Sequence, residues 1–587
     1  MRRDSGLALL AIAMVLAFVL YAPTLGRGLV DYDDPWLYGS NWILRVPSWA
    51  SVHTVLFDLS SPLRFTLTPE YLPVRDLSVM ADFALWGSWW GGFHLTSLVV
   101  YEASIALWFG ALVAFGVDRR VAGLAVLLWA LHPSHAESVA WLAERKGVLG
   151  MMFAGASALG YAKFRAGGAR RWLVLAIACG VLAVWSKATA AFAIGALVGL
   201  ELVLPARRVS WRRSLGSLAA IGAAAMAAYV PVLVLAVRWS VVGGSAAALP
   251  ASRAAMVVGA HGFYLRLGAM AMPNAVAYPI AIAGPSAFDL ALGAVGLVAL
   301  VAAFALRRTP PAVKAGAVLW AFGYLPVSDL VLPLQMIVVA DRYMLLPTLG
   351  LALAAAAGIA AIGNPRARIA LAAAIVLAAG LRTLDAQATW RSSRELWARA
   401  VASSPHDGDA WAHYVEALDE SGHHDLARDA AESGLAQSHA PRLAMHEALL
   451  LDEDGRHADA MAAMRQAADA GDPRAMANLA KWLLDAGRTA DALDYARRAA
   501  DTMPTYANGQ RMHGKVALAA GHPDEALAAF ERAYELERSN VNAMNLGIAL
   551  VALGRRDEAR RYLEPLLLDP QFAPRARELL GAGSPQR

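Results

Sequence analysis

Residues 94–136 read HLTSLVVYEASIALWFGALVAFGVDRRVAGLAVLLWALHPSHA. Two long apolar runs, 94–117 and 121–136, flank the charged turn Asp118-Arg119-Arg120. Runs of this length suit helices that cross a bilayer, which needs about 20 predominantly apolar residues. The pattern recurs at 7–25, 147–163, 172–187, 188–204, 214–237, 287–306, 313–328, 345–363 and 367–382, so about 11 spans are expected. The first run has no small-residue cleavage site after it and reads as an uncleaved helix. The 587-residue chain is 58% hydrophobic and 17% charged, with mean hydropathy +0.44. A soluble domain carries about 25% charged residues. The net charge of +5 sits mostly in short loops between apolar runs, which argues against a nucleic-acid partner. One cysteine, Cys179, excludes an intramolecular disulfide framework.

Orientation follows from Lys and Arg in short loops. One alternate set holds Arg2/Arg3, Arg119/Arg120, Lys163/Arg165/Arg170/Arg171, Arg207/Arg208/Arg212/Arg213, Arg307/Arg308/Lys314 and Arg366/Arg368, and reads as cytoplasmic. The N-terminus is then cytoplasmic, and an odd number of spans puts the C-terminal region outside. Residues 253–271 are apolar but contain His261, Tyr264 and Arg266. They are expected to lie along, or dip into, the outer surface, because a further span would move the basic loop at 307–314 outside. Glu102, inside the second run, is expected to face the bundle interior, either paired with a base or protonated.

After about residue 408 the chain turns charged and Ala-rich. Gly422, Gly455, Gly487, Gly521 and Gly554 are 33, 32, 34 and 33 residues apart, and each is followed five residues later by alanine: Ala427, Ala460, Ala492, Ala526 and Ala559. Pro441, Pro473, Pro504 and Pro570 are expected to close units. A period near 34, with Gly at a turn and Ala where paired helices cross, is the tetratricopeptide pattern. Such arrays present a concave binding surface. Asn478 and Asn545 stand nine residues before their turn glycines, as acceptor-binding candidates that hydrogen-bond an extended peptide or as ordinary solvated positions. The expected organisation is all-α: a multi-span membrane unit over 1–383, a connecting helix over 384–407, and a repeat α-solenoid over 408–587. In the connector, Trp390, Leu396, Trp397 and Val401 form an apolar face expected to cap the array.

Three outer loops hold polar clusters. Loop one, about 26–93, starts with Asp31, Tyr32, Asp33, Asp34 and Pro35. Such carboxylates suit a general base acting on a hydroxyl, a site for Mg²⁺ or Ca²⁺, or a solvated turn capping a helix. Loop two carries His132, Pro133, Ser134, His135, Ala136 and Glu137, then Trp141, Glu144, Arg145 and Lys146. Two His and one Glu are a weak metal set; they equally suit phosphate or sugar recognition, or an interfacial helix end. Loop five contains Asp329, Gln335, Asp341, Arg342 and Tyr343. Arg342, at the start of a span, suits a lipid-linked phosphate gripped by forked hydrogen bonds or simple snorkelling. Lys187 lies between two spans on the outer side and suits the same role.

The ordered set Val30-Asp31-Tyr32-Asp33-Asp34 with Asn41, Tyr71-Leu72-Pro73 with Leu77-Ser78, Gly92-Phe93-His94-Leu95, His132 through Trp141, Ser186-Lys187, Pro273 with Tyr278, and Asp341 through Pro347 resembles the transmembrane and tetratricopeptide-repeat O-mannosyltransferases of the C-type glycosyltransferase superfamily. The resemblance runs across nearly the whole chain. It implies an inverting transferase that moves a sugar, mannose in the family, from a polyprenyl-phosphate donor to a protein hydroxyl outside the cytoplasm. It implies Asp33 or Asp34 as catalytic base, and Arg342, Lys187 and Arg145 toward the donor phosphate. Asp31, His94, His132, His135, Glu137, Asp341 and Tyr343 would shape the pocket. No cofactor is required, because the lipid phosphate is itself a good leaving group, although some relatives use a divalent cation. Expected partners are the lipid-linked donor, membrane lipids and a protein or peptide acceptor held by the repeats. The Ala- and Arg-rich composition fits a bacterial inner membrane with a periplasmic tail and an undecaprenyl carrier. The chain departs from the family at Leu72, where Arg is common (Arg75 is close), and at Ala188, where Glu is common. Two further readings are a membrane-anchored scaffold for envelope assembly and an oligosaccharide ligase.

Overall fold

The computed structural model describes residues 5–59, 67, 70–204, 209–238, 252–270, 274–276, 278, 280, 284–328, 330, 339–537, 539–569 and 571–581. Arg2, Arg3, Arg207, Arg208, Pro273, Asp329, Gln335 and Pro570 lie outside the described residues. The chain is all-α; no strand occurs among the described residues. Two compact units divide between Ser404 and Pro405.

The first unit contains α1 (Ser5–Tyr21), α2 (Trp49–Phe57), α3 (Pro73–Trp86), α4 (Trp90–Ala114), α5 (Arg119–Ala130), α6 (Arg145–Gly167), α7 (Arg170–Ser186), α8 (Ala190–Val203), α9 (Trp211–Arg238), α10 (Arg253–Gly268), α11 (Ala287–Ala305), α12 (Pro311–Tyr324), α13 (Leu345–Ala360), α14 (Pro365–Ala388) and α15 (Ser393–Ser403). Each of the eleven apolar runs coincides with a helix. Among the described residues, five stretches are long and apolar enough to cross a membrane: Ser5–Gly26, Trp90–Ala114, Trp211–Leu235, Ala287–Ala305 and Pro365–Ala388. The others fall short in length or in apolar character. The 12 residues of α5, for example, rise only about 18 Å against a hydrocarbon core of about 30 Å.

Side chains sort the helices by depth. Val15 and Val19 of α1, Val295, Val298 and Val301 of α11, and Ile369 and Leu377 of α14 are exposed, an apolar exterior suited to lipid. Trp108, Trp129 and Tyr101 are fully buried, and each bonds the carbonyl of a neighbouring element: Trp108 Nε1 to Met151 O (3.1 Å), Trp129 Nε1 to Leu345 O (2.7 Å) and Tyr101 OH to Ala130 O (2.9 Å). Such bonds satisfy polar groups where water is absent. No base reaches Glu102 among the described residues; its two oxygens have no hydrogen-bond partner.

The helix over 253–268 packs against α11 and α12. Gly259 faces Pro285, Gly262 faces Asp289 and Gly293, and Leu265 faces Gly296, while Arg266 pairs with Asp289 at 2.8 Å, so α10 and α11 are close neighbours. A Cβ on Gly262 would lie 1.9 Å from Asp289 O, and one on Gly293 1.9 Å from Val258 O. Small residues let membrane helices approach this closely. Gly262→Val is expected to destabilise the unit by about 1–3 kcal/mol, read as a lower midpoint of thermal unfolding in detergent; an unchanged midpoint would refute the close crossing.

The second unit stacks α16 (Gly408–Glu420), α17 (His424–Ser438), α18 (Pro441–Glu453), α19 (His457–Asp469), α20 (Pro473–Asp485), α21 (Thr489–Thr502), α22 (Ala507–Ala519), α23 (Pro523–Leu536), α24 (Asn540–Ala552), α25 (Arg556–Leu563) and α26 (Ala573–Leu580). All five turn glycines have φ between 76° and 81°, a left-handed conformation that other residues adopt at a cost. The five alanines after them are completely buried. Pro441 and Pro473 open helices instead of closing units, since proline suits the first helical position, where no intrahelical N–H bond is needed.

Candidate functional site

Asp33 and Asp34 sit side by side in sequence and face different surroundings. Asp34 is buried, and its carboxyl accepts from Val30 N (3.1 Å) and Ala143 N (3.0 Å), latching loop one to loop two. Burial pushes this carboxyl up to about 7 against the pull of the two amides. Asp33 is solvent-accessible yet recessed. Burial raises its carboxyl, while Lys146 and Arg342 pull it down and Glu70 and Glu144 push it up. Of the two, Asp33 has the carboxylate free to accept a proton.

The cations are Lys187 and Arg342. Arg342 is held by Glu137: its backbone N donates to Oε2 (2.7 Å) and its Nη1 to Oε1 (2.5 Å). Burial works against its charge, but Glu137, Tyr343, Tyr32 and Glu144 together outweigh burial and raise the guanidinium above its usual range. Lys187 Nζ pairs with the buried Glu144. Both cations flank the Tyr343 ring, Lys187 at 5.6 Å and Arg342 at 5.4 Å from its centroid. They head a narrow cavity of about 50 Å³ whose walls are mostly apolar: Met151, Ala190, Val327, Leu345 and Leu346.

Other expected site residues take scaffold positions. Arg145 does not face this cavity: its fully buried guanidinium meets Asp82 (2.5 Å), Ser97 Oγ (3.0 Å) and Phe93 O (2.6 Å). His132 spends Nδ1 on Ser134 Oγ (2.7 Å) and Nε2 on Gly268 O (3.0 Å). His135 spends Nδ1 on Tyr101 OH (2.7 Å) and Nε2 on Thr348 Oγ1 (2.8 Å). With every ring nitrogen engaged, neither is free as a metal ligand. Asp341 turns to Asn274 Nδ2 (2.6 Å) and Tyr278 OH (2.5 Å); burial and Glu137 raise its carboxyl well above the usual range. His94 is buried beside Gly28 and Arg27. Asp31 is fixed by its backbone, which accepts from Trp397 Nε1 (2.9 Å) and donates to Ser393 Oγ (2.8 Å). Trp390 and Trp397 therefore have partners in the first unit: Trp390 stacks on Trp141 at 5.2 Å, and Trp397 lies 5.7 Å from Tyr32.

Sequence reasoning assigned no role to Glu70, Glu144 or Lys146. Lys146 Nζ bonds Glu70 Oε2 at 2.9 Å; burial raises Glu70, but Lys146 and Arg75 outweigh it and hold it at about 2. Glu144 and Lys146 stood inside the loop-two cluster, so their charge was a usable signal; nothing marked Glu70. Arg75 is occupied by Asp76 (2.6 Å). In the repeats, Asn478 Nδ2 donates to Met445 Sδ (3.3 Å), whereas Asn545 Nδ2 is buried without a partner among the described residues.

The tetratricopeptide-repeat family model matches residues 517–582. Solved structures similar to the chain include the TPR protein YrrB, described with an unusual peptide-binding site, at 18% identity over 32% of this chain and 99% of that one, TM-score 0.24. PilW, a widely conserved type IV pilus biogenesis factor, is 18% identical over 37% and 100%, TM-score 0.26. PilF of Pseudomonas aeruginosa is 16% identical over 32% and 89%, TM-score 0.27. No curated protein matches the chain. The C-terminal end of the chain thus carries tetratricopeptide-type repeats on an all-α framework.

Proposed function

We propose that the first unit transfers a sugar from a polyprenyl phosphate to a hydroxyl of an acceptor protein outside the cytoplasm, and that the repeat unit gathers the acceptor. The observation that carries this reading is the pairing of Lys187 and Arg342 at the head of an apolar groove, with the Asp33 carboxylate in the field of Arg342. A lipid phosphate has that polarity: an anionic head on an apolar chain. Asp33 takes the acceptor's hydroxyl proton, the oxygen attacks the anomeric carbon, and the bond from that carbon to the phosphate oxygen breaks. The electron pair leaves on the lipid phosphate, stabilised by Lys187 and Arg342. Glu137 and Glu144 hold the two cations until phosphate arrives. Because the free volume is smaller than a sugar phosphate, donor entry requires the Lys187 and Tyr343 side chains to move. In this reading the eleven apolar runs build the membrane bundle, α10 lies along or dips into the outer surface, the N-terminus is cytoplasmic, and the repeats lie outside.

A scaffold without catalysis is favoured by the repeat match alone. Intact-mass glycoproteomics of exported proteins from wild-type and deletion cells separates the two. The transferase reading expects a hexose-sized or larger mass on Ser or Thr to vanish in the deletion. An unchanged glycan profile, with the deletion's phenotype intact, leaves the scaffold as the better account.

A further inference from the structure

At the starts of α7 and α9, cations gather where helix electrostatics disfavour them. Arg170 and Arg171 stand in the first turn of α7, Arg212 and Arg213 in that of α9, and neither turn contains an acidic residue. The positive end of a helix dipole repels such charge. Ala169 precedes α7 and supplies no side-chain cap. Nearby arginines bring their own acid: Arg165 pairs with the buried Glu201 at 2.9 Å, and Asp118 caps the turn that holds Arg120, accepting from its backbone N at 2.9 Å. Arg170 and Arg213 have no carboxylate within 4 Å among the described residues. These two head a cavity of about 630 Å³, with Leu173, Val174 and Ile177 of α7 on one wall and Gly216 of α9 on the other. Arg213 is fixed there by Gly168 O (2.7 Å) and by the Phe164 ring, 5.2 Å away. Val174 is 64% exposed, and a Cβ on Gly216 would meet nothing within 4 Å, so the apolar wall is uncovered and room lies opposite it. Trp172 and Trp211 stand at the same two helix starts, a placement typical of aromatic residues at headgroup depth.

We propose that Arg170 and Arg213 bind the phosphate of an anionic phospholipid, whose acyl chain lies along Leu173, Val174 and Ile177. The phosphate supplies the negative charge that the two helix starts lack, and forked guanidinium hydrogen bonds suit its oxygens. Shape sets the ligand class: a cationic head joined to an apolar wall matches an anion carried on hydrocarbon, and basic pockets between membrane helices suit acidic lipid headgroups. The volume falls within the roughly 300–1,000 Å³ of small-ligand pockets. This site is separate from the cavity headed by Lys187 and Arg342. Arg170 is the first residue of α7 and Lys187 follows its last, so about 25 Å of helix lies between them. The inference rests on the bilayer placement of the first unit proposed above, not on sugar transfer.

The test is lipid titration of the full chain in neutral-detergent micelles, read by native mass spectrometry. Phosphatidylglycerol is expected to bind at least about tenfold tighter than phosphatidylcholine with the same acyl chains. Arg170→Gln with Arg213→Gln is expected to bring that preference within about twofold, with a lipid-free unfolding midpoint near wild type, since both side chains are exposed. Gly216→Leu keeps both cations and fills the furrow. It is expected to weaken phosphatidylglycerol binding at least about threefold, with a midpoint no lower than wild type, because leucine is the better helix former. Arg307→Gln with Arg308→Gln, an equal charge loss in another basic loop, is expected to leave the preference within about twofold of wild type. No preference for phosphatidylglycerol, full retention of it in the Arg170/Arg213 double variant, equal loss in the control, or glycerol phosphate binding as tightly as the lipid would each overturn the proposal. Alkaline washing of membranes tests the placement separately: a chain released by alkali overturns the bilayer reading itself, whereas a retained chain without lipid preference overturns the site alone.

Discussion

Asp33→Asn is expected to lower sugar transfer by at least about 10²-fold, the usual contribution of a positioned general base, with a thermal midpoint near wild type. Asp33 makes no side-chain bond that the fold relies on among the described residues, and it is open to solvent. Asp34→Asn is expected to act mainly on stability. Its carboxyl receives two backbone amides, and an Asn side chain has only one acceptor oxygen, so one buried N–H is orphaned at a cost of about 1–3 kcal/mol. The measurement pairs transfer rate with detergent unfolding for both variants. The reverse pattern, with Asp34→Asn stable and inactive and Asp33→Asn active, would assign the base to Asp34.

The two carboxyls also differ in their pH signatures. The folded Asp34 carboxyl sits at about 7, above the unfolded value of about 4. Between those values the folded protein holds a proton that the unfolded chain has released. Asp34's contribution to stability is therefore full below about pH 4 and declines as pH rises toward about 7, where the folded group also ionises. Asp34→Asn is expected to flatten that part of the stability profile. Asp33 governs activity in the opposite sense: a base must be ionised, so transfer falls as pH drops through its raised value. Coincident profiles for stability and activity would argue that a single group controls both.

Why adjacency misled the sequence reading at one point and not at another is a matter of helix geometry. Successive helical residues point about 100° apart. Glu144, Arg145 and Lys146 stand together in sequence, yet they reach Lys187, Asp82 and Glu70 respectively. Arg145, which the resemblance implied for the donor phosphate, is turned instead to Asp82. His132 and His135 looked like a ligand pair because their spacing was visible, while their partners, Gly268 and Thr348, lie 136 and 213 residues away. The helices themselves were legible, since apolar runs and a Gly-to-Ala repeat are local signals. The close pairing of α10 with α11 was not: it depends on Gly262 meeting Gly293, and periodicity marks a face without naming what lies against it.

Arg342→Gln is expected to cost about 3–5 kcal/mol of stability, the effect of stranding a buried partner, and to lower transfer by at least about 10²-fold. Its side chain is 10% exposed and that of Glu137 3% exposed, so solvent screens little of the pair. A single variant therefore cannot separate folding from catalysis, and the double variant Glu137→Gln with Arg342→Gln does. Removing both charges relieves the stranded carboxylate, and much of the lost stability is expected to return. If Arg342 grips the donor phosphate, transfer stays low in this restored fold, and added donor raises the rate only weakly. If Arg342 serves the fold alone, activity returns with stability. Arg342→Lys adds a third reading: the charge persists, but the fork to Glu137 and the stacking on the Tyr343 ring are lost. A weaker apparent affinity for donor in that variant, with folding retained, would identify geometry as well as charge as what the phosphate needs, because a point charge at the groove mouth would otherwise suffice.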